Sequence, residues 1–127
     1  MNKTIINAAD APAPIGPYNQ AVEINGMVFI SGQVALIPGT NNLQMDTIEN
    51  ETTRVMNNLQ AILTKADLDF SNVVKTSIFL MDMKDFATVN AVYANYFSSD
   101  FPARETVQVS GLPRGVNVEI SMIAVRT

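Results

Sequence analysis

AVEINGMVFISGQV, residues 21–34, decides how the chain begins to fold. Asn25-Gly26 at its centre is a strong hairpin signal, because a type I′ turn needs positive φ at both central residues. Val22 and Ile24 before the turn, and Val28 and Ile30 after it, alternate as strand residues do. The spacing predicts a β-hairpin and therefore a sheet.

Toward the N-terminus, residues 1–19 are rich in Pro, Ala and Asn and read as an extended arm ending in Ile-Gly-Pro-Tyr. Toward the C-terminus, residues 35–46 carry Pro38-Gly39 and Asn41-Asn42, which predict a loop with room for a short strand. Asp46 precedes Glu49 by three residues, a capping-box pattern. Ile48, Val55, Met56, Leu59, Ile62 and Leu63 then recur at helical spacing to about Ala66. Glu49 and Glu51 near the helix start and Lys65 near its end suit the helix dipole.

Asn72 to Met81 is β-branched and strand-like. Asp82 can cap a second helix from about Lys84 to Phe97, with Phe86, Val89, Tyr93, Tyr96 and Phe97 as its inward stripe. Residues 104–110 and 116–126 predict two closing strands, joined by Gly-Leu-Pro-Arg-Gly and expected to be antiparallel neighbours. The expected order is β-β-α-β-α-β-β, an α+β fold with two helices on one face of a mixed sheet. In the last strand Val116, Val118, Ile120 and Met122 form one face; Asn117, Glu119, Ser121, Ile123 and Val125 form the other. The second face is too apolar to be simply wet and too polar for an ordinary core, which predicts a subunit interface.

The 127 residues suffice for one domain, expected to span the whole chain. With 47% hydrophobic and 16% charged residues the chain reads as globular. Its net charge of −4 and eight scattered basic residues argue against a nucleic-acid partner. No apolar run approaches the roughly 18 residues of a membrane span, and MNKTIINAADAPAP lacks the apolar stretch of a signal peptide. A cytoplasmic protein without a membrane partner is expected. With no His and no Cys, zinc sites of the usual kind, Ser-His-Asp triads and thiol nucleophiles are excluded. No Gly-rich phosphate cradle is present. Catalysis would have to use carboxylates, Arg, Lys, Tyr, hydroxyls, backbone amides and water.

Two residues stand out against that short menu. Arg104 is a fixed positive charge just after Pro102-Ala103, at a strand mouth. Glu119 is a carboxylate inside VNVEISMIAV, where mid-strand Glu is disfavoured. If their strands are neighbours the two converge on one pocket. The guanidinium fork would then grip a carboxylate while the glutamate holds a water, pointing to hydrolysis of a small carboxylate-bearing molecule. The blander readings are a solvated strand-end arginine and a structural glutamate.

PARETVQVSGLPRGVNVEI at residues 102–120, IGPYNQAV at 15–22 and FISGQV at 29–34 together resemble the signature of the RidA (YjgF) family of reactive-intermediate deaminases. The resemblance runs along essentially the whole chain. It implies a chorismate-mutase-like homotrimer with a central barrel of three sheets, helices outside and clefts between subunits. It implies hydrolysis of 2-imino acids, such as 2-iminopropanoate and 2-iminobutanoate, to 2-keto acids and ammonia. That activity protects pyridoxal-phosphate enzymes from enamine damage and needs no cofactor or metal.

By the same resemblance, Arg104 anchors the substrate carboxylate and Glu119 positions or activates the water. Tyr18, Ser31, Gly32, Asn90 and Thr106 complete the substrate-binding set. Thr106 stands where the family often has cysteine, so no thiol step can operate. Glu105 stands where the family usually has a small residue, and on a strand it should point away from Arg104. The competing expectation is a non-catalytic, ligand-binding or regulatory member. An endoribonuclease role, attached to some relatives, fits poorly with an acidic chain lacking histidine.

Overall fold

The computed structural model describes residues 2–127. Its sheet contains β1 (Thr4–Ile6), β2 (Ala21–Ile24), β3 (Met27–Gln33), β4 (Val73–Leu80), β5 (Ala103–Gln108) and β6 (Val118–Val125). Helix α1 (Ile48–Lys65) follows β3, and α2 (Phe86–Ala94) follows β4. Asn25 and Gly26 have φ of 51° and 77°, the positive pair that the predicted turn requires. The arm is not wholly irregular, because Thr4–Ile6 pairs antiparallel with β2 as a first, edge strand.

The strand order is β1-β2-β3-β6-β4-β5. All neighbours are antiparallel except β4 and β5, which run parallel. This corrects the expected pairing of the two closing strands: β6 lies between β3 and β4, and β5 is left at the sheet edge. The cause is the helix between β4 and β5. A strand returning after a helical crossover lies parallel to its predecessor, so α2 delivers β5 alongside β4 and the segment after β5 must cross to reach the central position.

Both helices cover one face. On α1, Val55, Met56, Leu59, Ile62 and Leu63 are fully buried and meet Val28, Ile30, Val118 and Ile120 from the sheet within one core. Each such side chain contributes roughly 1.5–3 kcal/mol, more than the ~1 kcal/mol of an N-cap. The cap accordingly falls one residue later than the capping-box pattern predicts. Thr47 accepts from the Asn50 amide at 3.0 Å, while Asp46 accepts from the Asn50 side chain at 2.8 Å. Helix α2 ends at Ala94, three residues short of the expected Phe97. Residues 96 and 97 continue as tighter turns, their N–H groups reaching the carbonyls of Tyr93 and Ala94. Asp82 does cap this region, through the Lys84 amide at 2.9 Å.

No helix among the described residues lies over the other face. Ile5, Val22, Phe29 and Ile123 lie opposite one another in successive strands there, and Ile5 and Phe29 remain exposed. The division read from the last strand holds within β6, where Val118, Ile120 and Met122 are buried under the helices and Glu119, Ser121, Ile123 and Val125 are only half-buried on the open face. Asn117, expected on the open face, lies before the strand, and its side chain donates to Glu51 of α1 instead.

Candidate functional site

Glu119 sits where β3 and β6 lose register. Ile30 pairs with Met122 and Gln33 with Ile120, so Ser31 and Gly32 stand opposite the single residue Ser121. The extra residue makes a β-bulge. It carries the Gly32 backbone against the Glu119 side chain, so that a Cβ built on Gly32 would lie 2.6 Å from Oε2. The Gly32 φ is not positive; close approach, not backbone freedom, is what requires glycine.

Around this contact lies a cavity of about 360 Å³. Tyr18, Ser31, Gly32 and Glu119 line it together with Arg114, over mainly apolar walls that include Ile15. Burial pushes the Glu119 carboxyl above the ordinary carboxylate range, because desolvation disfavours the charged form. None of the ion pairs among the described residues involves Glu119. The Ser31 hydroxyl is occupied in holding the arm, donating to the Asn19 carbonyl at 2.7 Å. Tyr18 is half exposed and borders both this cavity and the open sheet face.

Arg104 occupies a different place. It pairs in register with Thr76, whose side chain is buried under the helices, so Arg104 points to the helical face of the edge strand. Its guanidinium carbon lies 5.1 Å from the Tyr93 ring centre and 5.7 Å from that of Phe86. Those rings of α2 hold the cation by π attraction while leaving its fork free, and no carboxylate among the described residues pairs with it. Arg104 and Asn90 line a second cavity of about 290 Å³ with Tyr93 and Phe101. Thr106 projects from the same face of β5, and its buried hydroxyl oxygen has no hydrogen-bond partner among the described residues.

Within one chain, therefore, Arg104 and Glu119 do not converge, contrary to the expectation from sequence. Glu119 pairs with Phe79, three residues along β4 from the partner of Arg104, and β4 separates their strands. Two inter-strand spacings and three residue steps put the backbones on the order of 14 Å apart, and the side chains leave opposite faces. The sheet gives each chain two separate cavities: Tyr18, Ser31, Gly32 and Glu119 border one, and Asn90 and Arg104 border the other, with Thr106 two residues along β5 from Arg104.

Glu105 alternates with Arg104, as expected, and points to the open face. It accepts from the Ser77 hydroxyl, and Lys75 lies at 3.0 Å. The Ser77 hydrogen bond, followed by that from Lys75, holds its carboxyl below the ordinary range. Its charge is thus matched locally and turned away from the Arg104 fork.

Two residues escaped the sequence reading. Gln20 is buried and pins the arm, accepting from the Ala8 amide at 2.6 Å and donating to the Pro12 carbonyl at 2.8 Å. Glu51, expected only to favour the helix dipole, turns inward and is fully buried. Helical spacing does place Glu51 on the stripe of Val55 and Asn58, a signal that could have found it.

The family model described as endoribonuclease L-PSP matches residues 8–126. The chain belongs to this family, the YjgF/RidA family. It is 47% identical over 124 residues to the mouse 2-iminobutanoate/2-iminopropanoate deaminase, covering 98% of this chain and 92% of the relative. Among solved structures it resembles the E. coli YjgF gene product, with a TM-score of 0.92, 40% identity and coverage of 98% and 99%. E. coli TdcF with bound serine matches with a TM-score of 0.93, 38% identity and the same coverage. The α+β arrangement of two helices on a mixed sheet is common to these neighbours.

Proposed function

We propose that this RidA-family protein is a 2-iminobutanoate/2-iminopropanoate deaminase, a hydrolase acting on C=N bonds. It would convert reactive 2-imino acids to 2-keto acids and ammonia in the cytoplasm and so spare pyridoxal-phosphate enzymes. The observation that carries the reading is a pair of unpartnered groups, the Arg104 fork and the desolvated Glu119 carboxyl, each bordering its own cavity on opposite faces of the sheet. A homotrimer with a central barrel would cover the open face and bring Arg104 of one copy against Glu119 of the next. The names of relatives such as the mouse deaminase support the reaction class, and serine bound to TdcF supports a small carboxylate-bearing ligand.

In such a joined site the guanidinium takes the substrate carboxylate in two parallel hydrogen bonds, fixing its plane. The walls from Tyr18 and Phe101 exclude bulk water. Glu119 accepts a proton from a water held beside the imine carbon; a carboxyl raised toward the operating pH is a better base than an ordinary one. The oxygen bonds to that carbon as the C=N π pair moves to nitrogen, giving a carbinolamine. Glu119 returns that proton to nitrogen to complete the carbinolamine. It then accepts the hydroxyl proton and passes it to nitrogen as the C=O bond forms and the C–N bond breaks, releasing ammonia and the 2-keto acid. The residues supply proton transfer and orientation, and water is the only co-reactant.

The test is ammonia release from imines generated in the assay by an amino-acid oxidase or dehydratase. Acceleration over the spontaneous reaction, lost in Arg104 and Glu119 variants, is expected. Hydrolysis at the uncatalysed rate with purified trimer would overturn the proposal in favour of a ligand-binding role.

A further inference from the structure

Glu51 is the one charged side chain among the fully buried described residues. It lies in the first turns of α1 and reaches across to the start of β6. Its Oε2 accepts from the backbone N–H of Asn117 at 2.8 Å and of Val118 at 3.1 Å, and its Oε1 accepts from the Asn117 side chain at 2.8 Å. The Asn117 carbonyl on the far side is fixed as well, accepting from the Met81 amide at 3.0 Å. The Asn117–Val118 peptide, one residue before Glu119, is therefore clamped from both sides, and the peptide before it is held through its N–H.

A buried carboxylate is a costly way to dock a helix, and α1 is already docked by five fully buried apolar side chains. What the carboxylate adds is direction. It fixes the backbone at the point where the chain enters the bulged segment opposite Gly32, and a reacting group needs placement within about 0.5 Å.

Resting on the imine-hydrolase reading, we infer that Glu51 is a positioning residue for Glu119. It acts through the Asn117–Val118 backbone and never meets substrate. The chemistry needs an acceptor at this point, not a charge. In Glu51→Gln the amide oxygen can take both backbone N–H groups, and rotation of the Asn117 amide lets its oxygen accept from the new NH₂. Glu51→Ala leaves those donors buried without partners.

The test measures kcat, KM and thermal unfolding for Glu51→Ala and Glu51→Gln, each alone and combined with Glu119→Gln. Glu51→Ala should lower kcat about tenfold or more with KM little changed, since small misplacements of a reacting group cost up to about 10². Glu51→Gln should restore kcat to within about twofold. In the Glu119→Gln background Glu51→Ala should lower kcat no further. Asn117→Ala, which removes one of the three hydrogen bonds, answers the same questions if Glu51→Ala fails to fold. A fall in melting temperature with unchanged kcat, or an equal loss with and without Glu119, would overturn the inference. A wild-type rate in Glu119→Gln alone would instead overturn the parent reading, so the two failures are distinguishable.

Discussion

Gly32 and Glu119 are in contact so close that a single methyl group between them has no room: a Cβ on Gly32 would stand 2.6 Å from Oε2 and 2.8 Å from Cδ of Glu119. The atoms in the way belong to a side chain half open to a cavity, so the chain can yield without unfolding. Gly32→Ala should displace the carboxyl, lowering kcat about tenfold or more, with the melting temperature within a few degrees of wild type. An alanine variant of full activity would show that Glu119 needs no fixed place.

Glu119→Gln keeps the size of the side chain but cannot accept a proton. A loss on the order of 10² or more in kcat is expected, with folding preserved. The same variant should reveal the cost of burying the carboxyl. Burial raises the Glu119 pKa in the folded state, so the folded chain binds that proton more tightly than the unfolded one. Between the unfolded value, about 4.3, and the raised folded value, stability falls as pH rises. Wild type should therefore lose stability relative to Glu119→Gln as pH climbs from about 4 through that window. Melting curves of both proteins across pH would show a constant difference if the burial has no such effect.

For Arg104, the aromatic rings of Tyr93 and Phe86 separate two properties of the side chain. Lysine can keep a cation over the rings but has no planar fork to orient a carboxylate. Arg104→Lys should lower kcat/KM at least roughly tenfold, equivalent to about 1.4 kcal/mol, and Arg104→Ala more. An imine without a carboxylate should be handled equally poorly by all three proteins. Both variants turning over 2-iminopropanoate like wild type would remove the anchor role.

The hairpin at Asn25-Gly26, the inward stripe of α1 and the two-faced pattern of β6 were legible in the sequence, because each depends on local spacing alone. The position of β6 was not. Its neighbours are chosen by competition among strands far apart in the chain, although the crossover helix before β5 did carry the information that β5 and β4 run parallel. Arg104 and Glu119 stood out in the sequence as residue types, and their division between opposite faces followed only from that topology. Glu51 was legible in part, since helical spacing puts it on the inward stripe of Val55. Its suitability for the helix dipole at the helix start masked that signal, and its partner at the start of β6 lies far away in the chain.

The last prediction tests whether the Arg104 and Glu119 cavities of different copies work together. Arg104→Ala retains Glu119, and Glu119→Gln retains Arg104; each alone should be nearly inactive. If a working site draws Arg104 from one copy and Glu119 from its neighbour, mixed trimers contain some interfaces with both native groups. Equal amounts of the variants, unfolded together and reassembled at random, should pair them correctly at about one interface in four, giving about a quarter of wild-type activity. The variants reassembled separately and then mixed without exchange should give almost none. Each wild-type-like interface should also show the wild-type KM, because its residues are unaltered. If instead one chain supplied both groups, no mixture could restore a site. Absence of recovery in trimers shown by mass spectrometry to be mixed would then refute the shared site.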